Sequence, residues 1–230
     1  IGKTNRSTEE VYRPGGKGIN VSWVLHNLGL ESTALGFLAG FTGQEIKRQM
    51  ESTGITTDFI ELPRGMSRLN VKIKQMDATE INASGPVLSE ENLKLAVLKK
   101  GDILILSGSL PGSVPTDIYK TLMEEVQGKE IPVIVDAIGD ALLKTLPLHP
   151  FLIKPNHQEL SELFCVELTT REQVVPYAKK LQEKGAKNVL VSMAGEGAVL
   201  IDENGREYMG PVPKGKVVNA VGAGDSMVAG

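Results

Sequence analysis

Near its end the chain reads Gly222-Ala223-Gly224-Asp225, preceded by the strand-like run Lys216–Asn219. Glycines between a strand and a helix let backbone N–H groups converge on an anion. An aspartate in the first turn of that helix stands beside any phosphate held there. With a substrate hydroxyl between them, Asp225 can accept its proton while the N–H groups of Gly222, Ala223 and Gly224 stabilise a phosphoryl group in transfer. A carboxylate is a weak base, but the proton leaves late in a loose transition state, so a weak base suffices. The same four residues also fit a plain glycine turn with an acid favoured by the helix dipole.

Four other stretches carry polar chemistry. Gly15-Gly16-Lys17-Gly18-Ile19-Asn20 runs into the apolar stripe Val21, Val24, Leu25, Leu28. It is not a Walker loop, because glycine rather than serine or threonine follows Lys17. Glycine permits close backbone approach, Lys17 offers a cation and Asn20 can hydrogen-bond sugar hydroxyls. A flexible turn opening a helix is the competing reading. Arg68, in Ser67-Arg68-Leu69-Asn70, could clamp a phosphate bidentately or be solvated surface. In Lys154-Pro155-Asn156-His157-Gln158-Glu159, the oxygens of Asn156 and Glu159 could hold magnesium through water. Asn followed three residues later by Glu equally reads as a helix cap. Ser107-Gly108-Ser109-Leu110-Pro111 follows an apolar run, at the kind of strand end where open α/β sheets bind ligands. His26, His149 and His157 make no metal or triad spacing and are taken as structural.

The elements that must position these residues alternate between strand and helix. Short apolar runs predict buried strands at Ala34–Leu38, Ile103–Ser107, Val133–Asp136, Phe151–Ile153 and Val189–Ser192. Helices are expected at Gly18–Leu28, Gln44–Ser52, Glu90–Leu98, Thr116–Val126, Ala141–Leu146, Asn156–Phe164 and Arg171–Lys184. Thr169 and Glu172 predict a capping box for the last of these. Strands separated by helices of this length argue for a parallel sheet with helices on both faces. From Asp58 to Asn82 the pattern changes to period two, Val71 and Ile73 against Lys72 and Lys74, which predicts a half-exposed antiparallel ribbon.

Composition narrows the possibilities further. A chain of 230 residues suits one α/β domain. Its 25 basic and 28 acidic residues give no broad positive field, which argues against nucleic acid or anionic membrane as a partner. Cys165 is the only cysteine, so an internal disulfide and a cysteine-rich zinc site are excluded and a reducing, cytoplasmic setting is expected. The apolar runs are strand-length and no signal peptide is visible. The chain opens at Ile1 and stops at Gly230 directly after the glycine turn, so a piece of a longer domain is expected.

In their order along the chain, the glycine-lysine entry, Ser-Gly-Ser-Leu-Pro, Lys-Pro-Asn-x-x-Glu-Leu and Gly-Ala-Gly-Asp resemble the ribokinase-like carbohydrate kinases, the PfkB family. Further carriers of the resemblance are Gly36-Phe37-Leu38, Gly40-Phe41-Thr42-Gly43, Asn70–Lys74, Thr79-Glu80-Ile81-Asn82 and Val217–Gly230. Within the family the chain looks most similar to members acting on fructose 1-phosphate. The resemblance implies a three-layer α/β/α sandwich with a mainly parallel central sheet. It implies one incomplete kinase domain over 1–230, with a small β-lid formed by about 6–13 and 58–82. It implies ATP- and magnesium-dependent conversion of fructose 1-phosphate to fructose 1,6-bisphosphate. Tagatose 6-phosphate or fructose 6-phosphate kinases, and an inactive sugar-phosphate or nucleotide binder, are the alternatives.

By the same resemblance Asp225 is the catalytic base, and Gly222, Ala223 and Gly224 are its anion hole. Gly15, Gly16, Lys17, Asn20, Arg68 and Ser109 fall on the sugar-phosphate side. Asn156 and Glu159 match the magnesium and nucleotide-phosphate motif, and Ser192, Gly195 and Gly197 fall on the nucleotide side. A homodimer through the lid is a further expectation, and a monovalent cation at the turn Asn219–Gly224 is left open. Several positions depart from the family pattern. Its first-strand Asn-Pro segment has no counterpart before Gly2, and the helices that help close the adenine site are absent after Gly230. Trp23 stands where arginine is usual and lies off its helix's apolar stripe, so simple core packing does not account for it. Ala39 and Ala194 replace usual glycines, at a cost of about 1 kcal/mol or more wherever positive φ is needed. Ala137-Ile138 and Ala220 replace usual hydroxyl residues.

Overall fold

The computed structural model describes residues 4, 6–73, 79–87, 98–108, 110, 114–215 and 222–230. The first half contains α1 (Lys17–Asn27), β1 (Thr33–Ala39), α2 (Gly40–Ser52), β2 (Thr56–Leu62), β3 (Asn70–Ile73), β4 (Thr79–Asn82) and β5 (Leu104–Ser107). There follow α3 (Ile118–Glu125), β6 (Val133–Asp136), α4 (Gly139–Leu143), β7 (Leu152–Ile153), α5 (His157–Phe164) and α6 (Arg171–Glu183). The chain closes with β8 (Asn188–Ser192), β9 (Ala198–Ile201), β10 (Glu207–Gly210) and α7 (Ala223–Ala229).

The apolar runs build a six-stranded sheet in the order β10-β9-β8-β7-β6-β5. Strands β5 to β8 are parallel, and β9 and β10 continue antiparallel. Successive side chains of a strand point to opposite faces, and β6 uses both. Ile134 packs with Val21 of α1 and Val228 of α7 on one face. Val133 and Val135 join Leu160, Val174 and Leu181 of α5 and α6 on the other. The result is the three-layer arrangement, with all strands of the parallel part ending on the same side.

Beside this sheet, β1 and β2 pair in parallel around α2, from Thr33↔Thr56 to Ala39↔Leu62. Among the described residues, Thr33–Ala39 pairs only with β2 and not with the six-stranded sheet. Ala34, Met50 and Ile55 form a small core there, joined by Ile19, Ile46, Phe59 and Trp23. Trp23 is thus explained by packing after all: it fills the space between α1 and the β1–α2–β2 unit. The period-two stretch divides. Its first part becomes β2, and only β3 and β4 make the antiparallel ribbon, Asn70↔Asn82 to Ile73↔Thr79. Residues 6–13 are exposed and contain neither helix nor strand.

Local chemistry also corrects two details. The capping box of α6 uses Thr170 and Gln173, one residue later than Thr169 and Glu172. Gln173 Oε1 accepts from the backbone N–H of both Thr169 and Thr170. An amide side chain therefore does the work expected of the neighbouring carboxylate. The hairpin β9–β10, absent from the sequence reading, extends the sheet. Ala39 has φ −145, an ordinary extended conformation that carries no strain. Ala194 has φ +46, in the region where a Cβ is penalised. The expected helix Glu90–Leu98 (but for Leu98), the strand Lys216–Asn219 and Ala220 lie outside the described residues.

Candidate active site

Three neighbouring parallel strands deliver polar side chains at their C-terminal ends. Ser107 ends β5, Asp136 ends β6 and Lys154 directly follows β7. Asp136 has no exposed surface and Lys154 is 4% exposed. Charges so deeply buried are tolerated when they are paired. Asp136 Oδ1 receives Lys17 Nζ at 3.2 Å and Lys154 Nζ at 3.3 Å. Its Oδ2 accepts from Ser107 Oγ at 3.3 Å.

Lys17 reaches this carboxylate because it is the first residue of α1. Gly16 caps that helix at φ +125, a conformation suited to glycine. One turn further, Asn20 Nδ2 donates to Asp225 Oδ2 at 2.7 Å. Asp225 is the third residue of α7 and is buried, behind Gly222 in a left-handed conformation. Among the described residues its Oδ1 accepts no hydrogen bond, which leaves one oxygen available for a proton. The turn is also close to Lys154: a Cβ on Gly224 would lie 3.2 Å from Lys154 Nζ. Lys17, Asn20, Asp136, Lys154 and the Gly222–Asp225 turn are therefore one connected set.

On the neighbouring strand ends, Asn156 caps α5. Glu159 N–H donates to Asn156 Oδ1 and Asn156 N–H donates to Glu159 Oε2, each at 2.8 Å. The expected capping box is present. Glu159 Oε1 makes no hydrogen bond among the described residues and remains as a hard oxygen donor. Asn156 forms a parallel bridge with Ser192, and Ser192 N–H donates to Pro155 O at 3.1 Å. This brings the end of β8 against the start of α5. The described residues contain no cluster of three or more His, Cys, Asp or Glu side chains suited to a metal. Glu159 Oε1 is an oxygen donor of the hard type that magnesium takes, and that ion commonly completes its shell with phosphate and water.

The remaining residues named from the sequence are less tightly joined. Gly197 has φ +89, and a Cβ there would lie 2.0 Å from Gly210 O, so the β9–β10 contact alone demands glycine. Gly195 and Gly15 face open space. Arg68 is exposed ahead of β3, and no hydrogen bond or ion pair among the described residues ties it to the cluster. Ser109 lies outside the described residues.

Sequence reasoning missed Asp136 and the pairing of Lys154. Their signal was a charge directly after a strand-length apolar run, at the edge where parallel sheets collect ligands. Nearby, Tyr119 donates to Gly108 O at 3.0 Å. Burial, and secondarily the Asp136 charge, push its phenol up to about 12.

The family profile described as pfkB family carbohydrate kinase matches residues 2–230, and the chain belongs to that family. It is 48% identical over 235 residues to 1-phosphofructokinase of Bacillus subtilis, covering 100% of this chain and 77% of the relative. To D-tagatose-1-phosphate kinase of Bacillus licheniformis it is 40% identical, over 98% of this chain and 75% of the relative. Among solved structures, phosphofructokinase-2 from Escherichia coli in complex with fructose-6-phosphate superposes with a TM-score of 0.86 at 30% identity. That match covers 100% of this chain and 78% of the other.

Proposed function

We propose that this protein transfers the terminal phosphoryl group of ATP to a hydroxyl of fructose 1-phosphate, giving fructose 1,6-bisphosphate. The observation that carries this reading is the 2.7 Å bond from Asn20 to a buried Asp225 within the first turn of α7. Asn20 holds one carboxylate oxygen, so the other faces the acceptor hydroxyl and takes its proton as the phosphoryl group arrives. The backbone N–H groups of Gly222, Ala223 and Gly224, with Lys154 behind them, stabilise the charge on the transferring oxygens. Lys17, Gly15, Gly16, Arg68 and Ser109 serve the sugar-phosphate side. Asn156, Glu159, Ser192, Gly195 and Gly197 serve the nucleotide side. Glu159 and Asn156 would hold magnesium by way of water, and the ion would supply neutralisation of phosphate charge. A monovalent cation at the turn before α7 would add to the same field.

The assignment of fructose 1-phosphate rests on the 48% identity to a 1-phosphofructokinase. D-tagatose 1-phosphate is the second reading, favoured by the 40% identity to its kinase. Of the departures behind the inactive-binder alternative, Ala39 is extended and unstrained and Trp23 packs against a small core, whereas Ala194 does take positive φ. The ribbon β3–β4 serves as a lid and, with exposed Val71 and Ile81, as the contact of a homodimer. No helix among the described residues is long and apolar enough to cross a membrane; the cytoplasmic setting is proposed on the single cysteine, Cys165. Asp225→Asn in the intact protein tests the mechanism. General-base loss lowers kcat by about 10²–10⁴ while sugar-phosphate binding persists. Turnover within twofold of wild type would exclude Asp225 as the base.

A further inference from the structure

Asp136 is almost completely buried, with 1% of its side chain exposed. Yet it touches both lysines of the cluster. Lys17 comes from the start of α1 and Lys154 from the end of β7, and their amines lie 3.2 and 3.3 Å from the same oxygen. The second oxygen is turned by Ser107 Oγ, which fixes the plane of the carboxylate. A lysine amine on a four-carbon stem has many rotamers, and Lys17 keeps 34% of its side chain exposed. A shared, rotationally fixed acceptor removes that freedom for both amines at once.

From this geometry we infer that Asp136 is a positioning residue for phosphoryl transfer. It holds Lys17, on the sugar-phosphate side, and Lys154, beside Gly224, on one oxygen so that both amines meet the phosphoryl group in transfer. The inference rests on the kinase reading above and adds to it a residue that acts through the two lysines. Two plainer roles make different demands. A residue that only balances charge would weaken anion binding by its presence, so its neutralisation would tighten sugar-phosphate binding. A residue that only stabilises the fold would change the fraction of folded protein and leave the turnover of each folded molecule unchanged.

Asp136→Glu separates these roles, because it keeps the charge and moves the carboxylate by one methylene. In the intact protein we expect kcat to fall at least about tenfold, as misplacement by an ångström commonly does. The Kd for fructose 1-phosphate, read without turnover from the emission of Trp23, the only tryptophan, is expected to stay within about threefold of wild type. Asp136→Asn is expected to lower kcat as well, and to lower it by a smaller factor when Lys17→Met is already present, because only Lys154 then remains to be misplaced. Should neither variant at 136 fold, Ser107→Ala carries the test with an expected kcat loss of about threefold. Urea midpoints set the folded fraction in every case. A kcat within twofold of wild type for folded Asp136→Glu overturns the inference, as does tighter fructose 1-phosphate binding by Asp136→Asn with unchanged turnover. Effects of Asp136→Asn and Lys17→Met that simply multiply overturn it too. A wild-type protein that binds the sugar phosphate and never phosphorylates it refutes the kinase reading itself.

Discussion

The Asp136–Lys154 pair should be worth more to the fold than any surface pair in the molecule. Its side chains are 1% and 5% exposed, whereas Lys17, the third member, is 34% exposed. Removing one partner of a buried pair costs about 3–5 kcal/mol, because the other charge is stranded. Asp136→Asn strands Lys154 in this way, and the partly solvated Lys17 only loses a contact that water can replace. For a domain of this size each kcal/mol moves the thermal midpoint by about 2–4 °C, so a fall of about 6–20 °C is expected. Replacing both partners strands nothing. Asp136→Asn combined with Lys154→Met should therefore lie within about 1 kcal/mol of Lys154→Met alone, a coupling energy of at least about 2 kcal/mol. Urea unfolding of the four proteins gives the cycle directly. Losses that add within about 0.5 kcal/mol would refute the reasoning, since independent sites behave that way.

Other consequences follow from backbone and burial. Gly197→Ala should cost about 2–5 kcal/mol, from positive φ and the 2.0 Å approach of its Cβ to Gly210 O, measured as a drop in urea midpoint. Ala194→Gly should raise stability by about 0.5 kcal/mol, as relief of strain at φ +46 outweighs the added freedom of the unfolded chain. Tyr119 is held neutral to about pH 12, above its ordinary value of 10.0. Its contribution to stability is therefore complete below pH 10 and lost as pH rises through about 12. Absorbance titration at high pH should reveal one late-ionising tyrosine, missing in Tyr119→Phe, and a Tyr119 ionising at its ordinary value would contradict its burial.

Much of the architecture was legible because buried parallel strands are short apolar runs with helices between them. Val133–Asp136 could be read to the residue, and Asn156 with Glu159 announced both a helix start and its cap. The β9–β10 hairpin escaped that reading although Asn204-Gly205 lies in its turn, with Gly205 at φ +75. Trp23 misled because a helical stripe records one packing face only. Its partners Met50, Ile55 and Phe59 come from a unit whose position no local pattern reveals. At the site, Asp225 and Lys17 stood out by their glycines. Asp136 did not, because its meaning lies in two lysines drawn from 119 residues before it and 18 after it. Such pairings follow from strand order, which periodicity leaves undetermined.

The most direct test is initial-rate product formation by the intact protein, with magnesium-ATP and fructose 1-phosphate, tagatose 1-phosphate or fructose 6-phosphate in parallel. The account predicts fructose 1,6-bisphosphate from fructose 1-phosphate at the highest kcat/KM, and none of it from Asp225→Asn above the residual rate. Sugar-phosphate binding by a folded wild-type protein that forms no bisphosphate from any of the three would contradict it.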